Sequence, residues 1–412
     1  MSAPVRDRGP RASTAPLAWA RRHLFRNARD TAITVVTGLA LAFLVFRTVR
    51  FLLFSGRWEI VRVNLRLYLY GRYPDDELWR LAVTVVVIAA TGGLIAGIVA
   101  RRTRAAAVKA GAHVPHPALS VRLGELVQRL WPLLVLVVLV LALTRTITPT
   151  LVTVATIGAA AVGRLVGGAL PTRATFLGFA LPAVLPFVLL PFLTSAQGWD
   201  DWGGLMLTLL LASVSMIACF PLGLLLALGR RSGLPAVRFI GVGVIEFFRG
   251  VPLVVLVLMS DVALGFFFPQ SLLPGKVTRV IIAFTIFTAA YVAEIGRGGL
   301  QSVPRGQTEA AQALGLSPFR VTGWIVLPQA LRNVIPALVG QFISLFKDTT
   351  LVFVIGFLDV LSVADAVTKQ SQFDLSNFAE ATAFAALLFW VGSYTLSRES
   401  QRLEKRLGVG TR

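Results

Sequence analysis

Apolar residues run through this chain in long blocks, and polar residues are confined to the short breaks between them. In the first half the blocks fall near 31–54, 81–100, 131–147, 150–169 and 175–194. In the second half they fall near 204–229, 239–268, 277–296, 330–358 and 379–396. Most come close to the roughly 20 apolar residues that an α-helix needs to cross a bilayer. Backbone groups in hydrocarbon must be satisfied within the segment, which makes helices the expected form. The fold class is therefore all-α and polytopic, with about 8–10 transmembrane helices by length alone. The third and fourth blocks are short and joined by Arg145-Thr-Ile-Thr-Pro149, so they read as two spans or as one broken element. The fifth carries Pro182, Pro186 and Pro191 and is expected to kink.

Composition narrows the class further. The 412 residues are 56% hydrophobic and only 15% charged, with a mean hydropathy of +0.75. A soluble chain of this length needs far more polar surface, so the lipid bilayer is the first partner implied. The net charge of +20, from 40 basic and 20 acidic residues, raises nucleic-acid binding as a rival. The arginines, however, sit in tails and alternate loops, as the positive-inside rule expects, so no nucleic-acid partner is expected. Arg101, Arg102, Arg104, Arg122 and Arg129 place the loop 101–130 in the cytosol. Asp200 and Asp201, with no basic residue in 194–202, place that stretch outside. An odd number of spans must connect a cytosolic N-terminus to it, and five or three both satisfy this. Further on, Arg230-Arg231 closes a span in the cytosol and Lys276 stands alone in a short outward loop. Arg21-Arg22 faintly resembles a twin-arginine export signal, but the block after it exceeds an export core of roughly 7–15 residues. It reads as a first membrane helix with Arg47 and Arg50 near its end. The single cysteine, Cys219, lies in an apolar run and offers no disulfide framework.

One break is longer than the rest. Between the blocks at 277–296 and 330–358 lies a polar, turn-rich insert. Ser302 and Pro304 are start signals for a short helix, Gln307 to Leu314 is rich in helix formers, and Gly315 is placed to stop it. Ser317-Pro318 then restarts a second helix. Ala310, Ala311 and Ala313 leave one face with almost no bulk, while Leu314, Leu316 and Phe319 add apolar grip. Arg305 and Arg320 mark the cytosolic side.

The order Glu309-Ala310-Ala311, three residues, Gly315, nine residues, Ile325, one residue, Leu327-Pro328 resembles the coupling-loop signature of permease subunits of bacterial ATP-binding-cassette importers. The likeness runs from Trp202 to about Ser397. Gly223–Gly229, Glu246–Pro252, Arg297–Pro304 and Lys347–Leu351 are similar to the polar amino-acid subfamily, and the long first half is similar to the larger permease of general L-amino-acid importers. The resemblance implies a basic cytosolic tail at 1–30 and an N-terminal transmembrane extension at 31–200. It implies a five-helix type I importer core at 201–397 with its coupling loop near 300–328, and a cytosolic tail at 398–412. It implies a multi-pass protein of the bacterial inner membrane, and Glu309, Ala310, Ala311, Gly315, Leu316, Ile325, Leu327 and Pro328 as the ATPase coupling helix and its return. The partners it implies are a second homologous permease, an ABC ATPase dimer that binds the ATP, and an extracytoplasmic amino-acid-binding protein.

The remaining chemistry agrees with a non-catalytic subunit. Pro274-Gly275-Lys276-Val277 lacks the upstream glycine and the Ser/Thr of a P-loop, so ATP hydrolysis is expected in a partner. His113 and His116 flank a proline without Cys or carboxylate beside them, and no metal or other cofactor is expected in this chain. Ionisable residues within spans are functional candidates because their insertion is costly. Glu246 and Arg249, three apart, can neutralise each other, and Gly250 with Pro252 should loosen the helix after them. Lys347, Asp348 and Thr349 interrupt the block 330–358. These five residues are candidates for a substrate pathway or for structural bracing. Asp261 is a weaker candidate with no evident partner, and Glu294 with Arg297 should brace the root of the insert. An ion-coupled secondary transporter, or the same permease carrying another polar solute such as an opine, remain the alternatives.

Overall fold

The protein is described by a computed structural model that covers residues 20, 23–109, 111, 119–144, 147–171, 176–194, 202–267, 269, 272–373 and 377–408. Arg21-Arg22, His113, His116, Asp200 and Asp201 lie outside these described residues. The chain divides into two units, residues 1–58 and 59–412.

The first unit holds α1 (Ala28–Arg50), prolonged by a π-helical turn, Phe51–Ser55. The Asn27 side chain accepts the Asp30 N–H at 2.8 Å and caps the helix. Arg47 and Arg50 occupy its last turn, where cations offset the helix dipole. None of its residues is buried. A long helix this apolar suits hydrocarbon. The Trp58 indole N–H donates to the Leu52 carbonyl at 3.0 Å and ties off the end.

The second unit opens with α2 (Glu59–Val63), α3 (Leu65–Tyr70), α4 (Leu78–Lys109), α5 (Leu119–Leu143), α6 (Thr148–Ala169) and α7 (Leu177–Thr194). It continues with α8 (Gly204–Arg230), α9 (Pro235–Gly250), α10 (Leu253–Val262), α11 (Leu264–Phe267) and α12 (Lys276–Ser302). The last elements are α13 (Arg305–Ala313), α14 (Pro318–Arg320), α15 (Leu327–Asp348), α16 (Val360–Thr368) and α17 (Phe378–Leu407). Among the described residues seven helices are long and apolar enough to cross a membrane, and α9 with α10 makes an eighth if the bent pair counts as one. The protein is an all-α, multi-pass membrane protein. The third and fourth apolar blocks form two separate helices, α5 and α6. The expected kink in the fifth does not break it, because α7 continues through all three prolines.

Block 239–268 departs most from a plain span. It bends by 101° between α9 and α10, at Val251-Pro252, where Pro252 is extended at φ −59°, ψ 135°. Proline disfavours helical backbone in the residue before it, so the two helices cannot fuse. The packing of the flanking helices shows what the pair does. Gly223 of α8 sits against Ala289 and Val292 of α12, and Gly296 of α12 sits against Ala227 further down α8. Contacts that advance together mean that α8 and α12 run parallel. The chain between them must therefore return across the membrane, and α9–α10 is one broken span. The same reasoning applies in the extension. Gly93 and Gly97 of α4 lie on Ala160 and Arg164 of α6, again in parallel, so α5 between them runs back the other way.

The α4–α6 contact is made by glycine from both sides. A Cβ added at Gly93 would lie 2.1 Å from the Ala160 carbonyl oxygen, and one at Gly97 2.3 Å from that of Arg164. From α6, a Cβ at Gly163 or Gly167 would lie 2.1 Å from the Ala90 or Leu94 carbonyl oxygen. Small residues four apart on both faces let two backbones touch, which is a main source of helix association in lipid.

Among the described residues, three apolar clusters stack along the spans. The outer level includes Leu207, Leu211, Val257, Val280, Phe284 and Leu345. Cys219, Ala289, Val292, Val334 and Leu338 form the middle. Ala227, Ile245, Ala293, Leu300, Ala311 and Ala330 form the level that carries the insert, the cytosolic one by the positive-inside rule. Within the second unit, the first elements are tied to the last ones. Tyr68 donates to the Ala381 carbonyl at 3.0 Å, while Tyr73 holds α7 by donating to the Leu193 carbonyl at 3.2 Å. The Asn64 and Gln370 amides exchange hydrogen bonds of 3.1 and 2.9 Å. On α5, Arg129 pairs with Glu399 of α17, and Trp131 packs on Trp390 and Tyr394.

A matched pair of substitutions tests the glycine contact. Gly93→Ala must push α4 from α6, and overpacking of this kind costs about 1–3 kcal/mol. Gly92→Ala meets nothing within 4 Å and should be neutral or slightly stabilising. Thermal unfolding in detergent should show a lowered midpoint for the first variant only.

Candidate coupling loop and charge cluster

The insert folds as a helix, a turn and a return. Pro304 takes the cap position of α13 and supplies no side-chain cap. Ser302, expected to cap, instead ends α12, and its hydroxyl donates back to the Gly299 carbonyl at 2.8 Å. Glu309 and Ala310 are exposed, while Ala311 is only 4% exposed and packs into the cytosolic core level. The small side chain at 311 is thus needed on the inner face.

Gly315 ends α13 as predicted, and the geometry explains why it is glycine. Its φ is +78°, a left-handed value that costs other residues roughly 1–2 kcal/mol. The Gly315 N–H donates to Gln312 at 2.9 Å and the Leu316 N–H to Ala311 at 3.3 Å. This paired pattern is the Schellman closure, and Leu316 packs in the same cluster as Ala311 to complete it. The side chains beyond are left bare: Leu314 is 81% and Phe319 85% exposed. Ser317 and Pro318 start α14 as expected. A π-helical turn, Val321–Val326, then leads into α15, with Ile325 and Leu327 against the same core level and Pro328 exposed in the first turn of α15. Two hydrogen bonds lash the return to the outgoing strand of the loop. Gln329 donates to Gln307 at 3.4 Å and Asn333 to the Ser302 hydroxyl at 2.9 Å.

Above the insert lies a cluster of charges. Glu246 and Arg249 do not pair with each other. Glu246 accepts from Arg230 at 3.1 Å, and Arg249 faces Glu294 at 3.8 Å. Arg249 also lies over the Tyr291 ring at 5.4 Å. Glu294 is the hub, since its Oε2 also accepts from Arg230 at 3.2 Å and its Oε1 accepts two N–H groups of Arg297. Helix spacing made the 246–249 pair available, but the end of α8 supplies a competing guanidinium that the spacing could not reveal. The root of the insert is braced by Glu294 and Arg297 as expected, with Arg230 as the addition.

The other pathway candidates lie elsewhere. Lys347, Asp348 and Thr349 adjoin Leu345 and Val352, both members of the outer core level. Thr349 is buried and its hydroxyl donates to the Phe346 carbonyl at 2.7 Å. Neither Lys347 nor Asp348 makes an ion pair among the described residues. The five candidates therefore form two separate groups at opposite levels of the core. Asp261, expected to lack a partner, has two: Arg279 at 3.5 Å and Lys276 at 3.7 Å. No group of three or more His, Cys, Asp or Glu that could hold a metal occurs among the described residues.

A multi-pass helical core with a helix–turn–helix insert is the class of protein that the fold and site define. Residues 219–409 match the family of binding-protein-dependent transport system inner membrane components. A glutamate/glutamine/aspartate/asparagine transport system permease protein, BztC of Rhodobacter capsulatus, is 33% identical over 442 aligned positions, covering 97% of this chain and 95% of that one. The inner membrane amino-acid ABC transporter permease protein YhdY of Escherichia coli is 47% identical over 210 residues, 51% of this chain, and the match spans only 57% of that relative. A solved amino acid ABC transporter with histidines is 32% identical and aligns with a TM-score of 0.45 over 49% of this chain and 92% of its own. The chain belongs to the family of binding-protein-dependent inner-membrane transport components, among relatives named as amino-acid ABC transporter permeases.

Two outcomes follow from the site geometry. Gly315→Ala should weaken the α13 cap by roughly 1 kcal/mol through backbone strain alone, because its Cβ meets open space, whereas Gly315→Asn should be milder. Amide exchange across 305–316 reads the difference. In the cluster, Glu294→Gln removes the charge shared by three guanidinium groups, and Glu246→Gln removes one partner only. Thermal melts should show the larger loss for Glu294→Gln, and equal losses would contradict the hub.

Proposed function

We propose that this chain forms the translocation pathway of an ATP-driven importer for amino acids and passes ATPase motion to the membrane through α13. The chain itself is non-catalytic in this reading. ATP is bound and hydrolysed by a separate ATPase pair, a second homologous permease completes the pathway, and an extracytoplasmic binding protein delivers the cargo. The family finding sets aside the ion-gradient alternative. A relative that matches along nearly its whole length is named for glutamate, glutamine, aspartate and asparagine, so these are the cargoes to test first.

The observation that carries the coupling role is the two-faced α13. Its inner side is locked to the core through Ala311, with Leu316 of the turn beside it, while Leu314 at its C-cap and Phe319 on α14 stand bare. An exposed apolar pair on a rigid turn fits a groove of a partner protein. A push on that tip reaches α12 and α15 together, because Gln307–Gln329 and Ser302–Asn333 join the two sides of the insert. Glu309 to Gly315, with Ile325, Leu327 and Pro328 on the return, thus act as one lever. Glu246 and Arg249 brace the cytosolic level, and Lys347, Asp348 and Thr349 are the better placed to meet substrate within the membrane.

The test is an affinity pull-down of the tagged chain in mild detergent, with Leu314→Asp/Phe319→Asp beside wild type. Recovery of a P-loop ATPase and a second permease with wild type, and loss of the ATPase alone in the variant, is the expected result. An ATPase retained in full by the variant would sink the docking assignment. Uptake of labelled glutamate or glutamine, competed by a panel of amino acids and by an opine, then reads the cargo.

A further inference from the structure

The cytosolic level contains more positive charge than its ion pairs use. A cavity of about 860 Å³ opens between the ends of α8 and α12 and the start of α13. Arg230, Arg231, Arg297 and Arg305 all line it, as do the apolar Leu228 and Leu300. Arg230 and Arg297 share Glu294, and Arg230 also takes Glu246. Arg231 and Arg305 make no ion pair among the described residues. Glu246 and Glu294 thus serve Arg230, Arg249 and Arg297, and Arg231 and Arg305 are left over.

A second feature points into the same space. Helix α13 begins at Arg305, and its first turn carries no side-chain cap. The Gln307 N–H is taken by the Pro304 carbonyl at 3.0 Å, and the N–H groups of Arg305 and Gly306, with the positive end of the dipole, are left for an anion. Thr308, one turn on, lines the cavity as well. The positive-inside rule accounts for basic residues on this side of the membrane, but not for their convergence on one cavity beside an uncapped helix start.

We propose that this cavity binds a phosphate-bearing anion. Guanidinium forks match phosphate oxygens in pairs, and they do so better than lysine or a single dipole. The place of the cavity favours a phospholipid headgroup as the source. It lies at the ends of two parallel spans, α8 and α12, where the basic residues mark the cytosolic side, with leucines on its wall to meet a glycerol backbone. A free phosphate compound from the cytosol offers the same chemistry. An anion here ties the roots of α8 and α12 to the start of the insert, so its occupancy would stiffen the lever. The inference rests on the cytosolic placement of α13 but not on the docking of an ATPase to it.

The complete complex, purified in its wild-type form and with Arg231→Gln/Arg305→Gln, is placed in nanodiscs of two compositions. One contains phosphatidylglycerol in phosphatidylcholine, and the other phosphatidylcholine alone with labelled inorganic phosphate outside. Native mass spectrometry counts retained phosphatidylglycerol, and equilibrium binding counts phosphate. Wild type should retain one of the two probes, and the double variant roughly fivefold less of it, as expected for the loss of paired guanidinium contacts. Phosphatidylglycerol retained identifies the headgroup, and phosphate bound without it identifies the soluble source; either supports the site. Equal retention by variant and wild type overturns the proposal, and so does a wild type that holds neither probe. A variant that sheds its ATPase while wild type binds neither probe shows that the arginines serve a protein interface, which also overturns it. If the double variant does not assemble, wild type decides by competition: the bound probe must leave on addition of pyrophosphate, and a probe that stays refutes the site.

Discussion

Close approach of backbones holds this molecule together. In lipid, apolar side chains gain little by leaving hydrocarbon for one another, so helices associate where small residues let them touch. Glycine fills that role along the fold. Gly93, Gly97, Gly163 and Gly167 join the two long helices of the extension, Gly223 joins α8 to α12, Gly299 joins α12 to α15, and Gly392 lies under Phe346. Each contact fixes a register as well as a distance. From those registers come the parallel runs of α4 with α6 and of α8 with α12, and from them the single crossing by the broken α9–α10 pair.

Charge then organises what the glycines assemble. Glu294 gathers three arginines from α8, α9 and α12 at the level where the insert leaves the membrane. Such a knot costs desolvation and repays it only if the partners are well placed. Here the hub carboxylate has several donors, and the structure keeps α8, α9 and α12 in step where the insert is rooted. The outer face has a simpler device, Asp261 between Arg279 and Lys276.

Much of this was legible in the sequence. The apolar blocks marked the helices because lipid demands long apolar runs. The insert was legible to the residue at Gly315, since a left-handed helix end has few solutions. What stayed hidden depends on three dimensions. The 101° turn at Val251-Pro252 was foreseen only as a loosening, because proline marks a break but not its angle. The pairing of Glu246 with Arg230 follows from how α8 meets α9, which no spacing within one helix reveals. Asp261 looked alone because its partners lie on another helix. The glycine pairs at 93/97 and 163/167 carried a readable signal, four-residue spacing on two helices, that the hydrophobic blocks concealed.

The bare tip of the insert has a consequence for the life of the subunit. Leu314 and Phe319 are apolar and uncovered in the chain by itself. Exposed side chains of that kind are what cellular proteases and chaperones survey. If the proposed ATPase covers this tip, a copy made without it advertises its own surplus, while an assembled copy hides the mark. The abundance of the permease would then follow the supply of the protein that covers it.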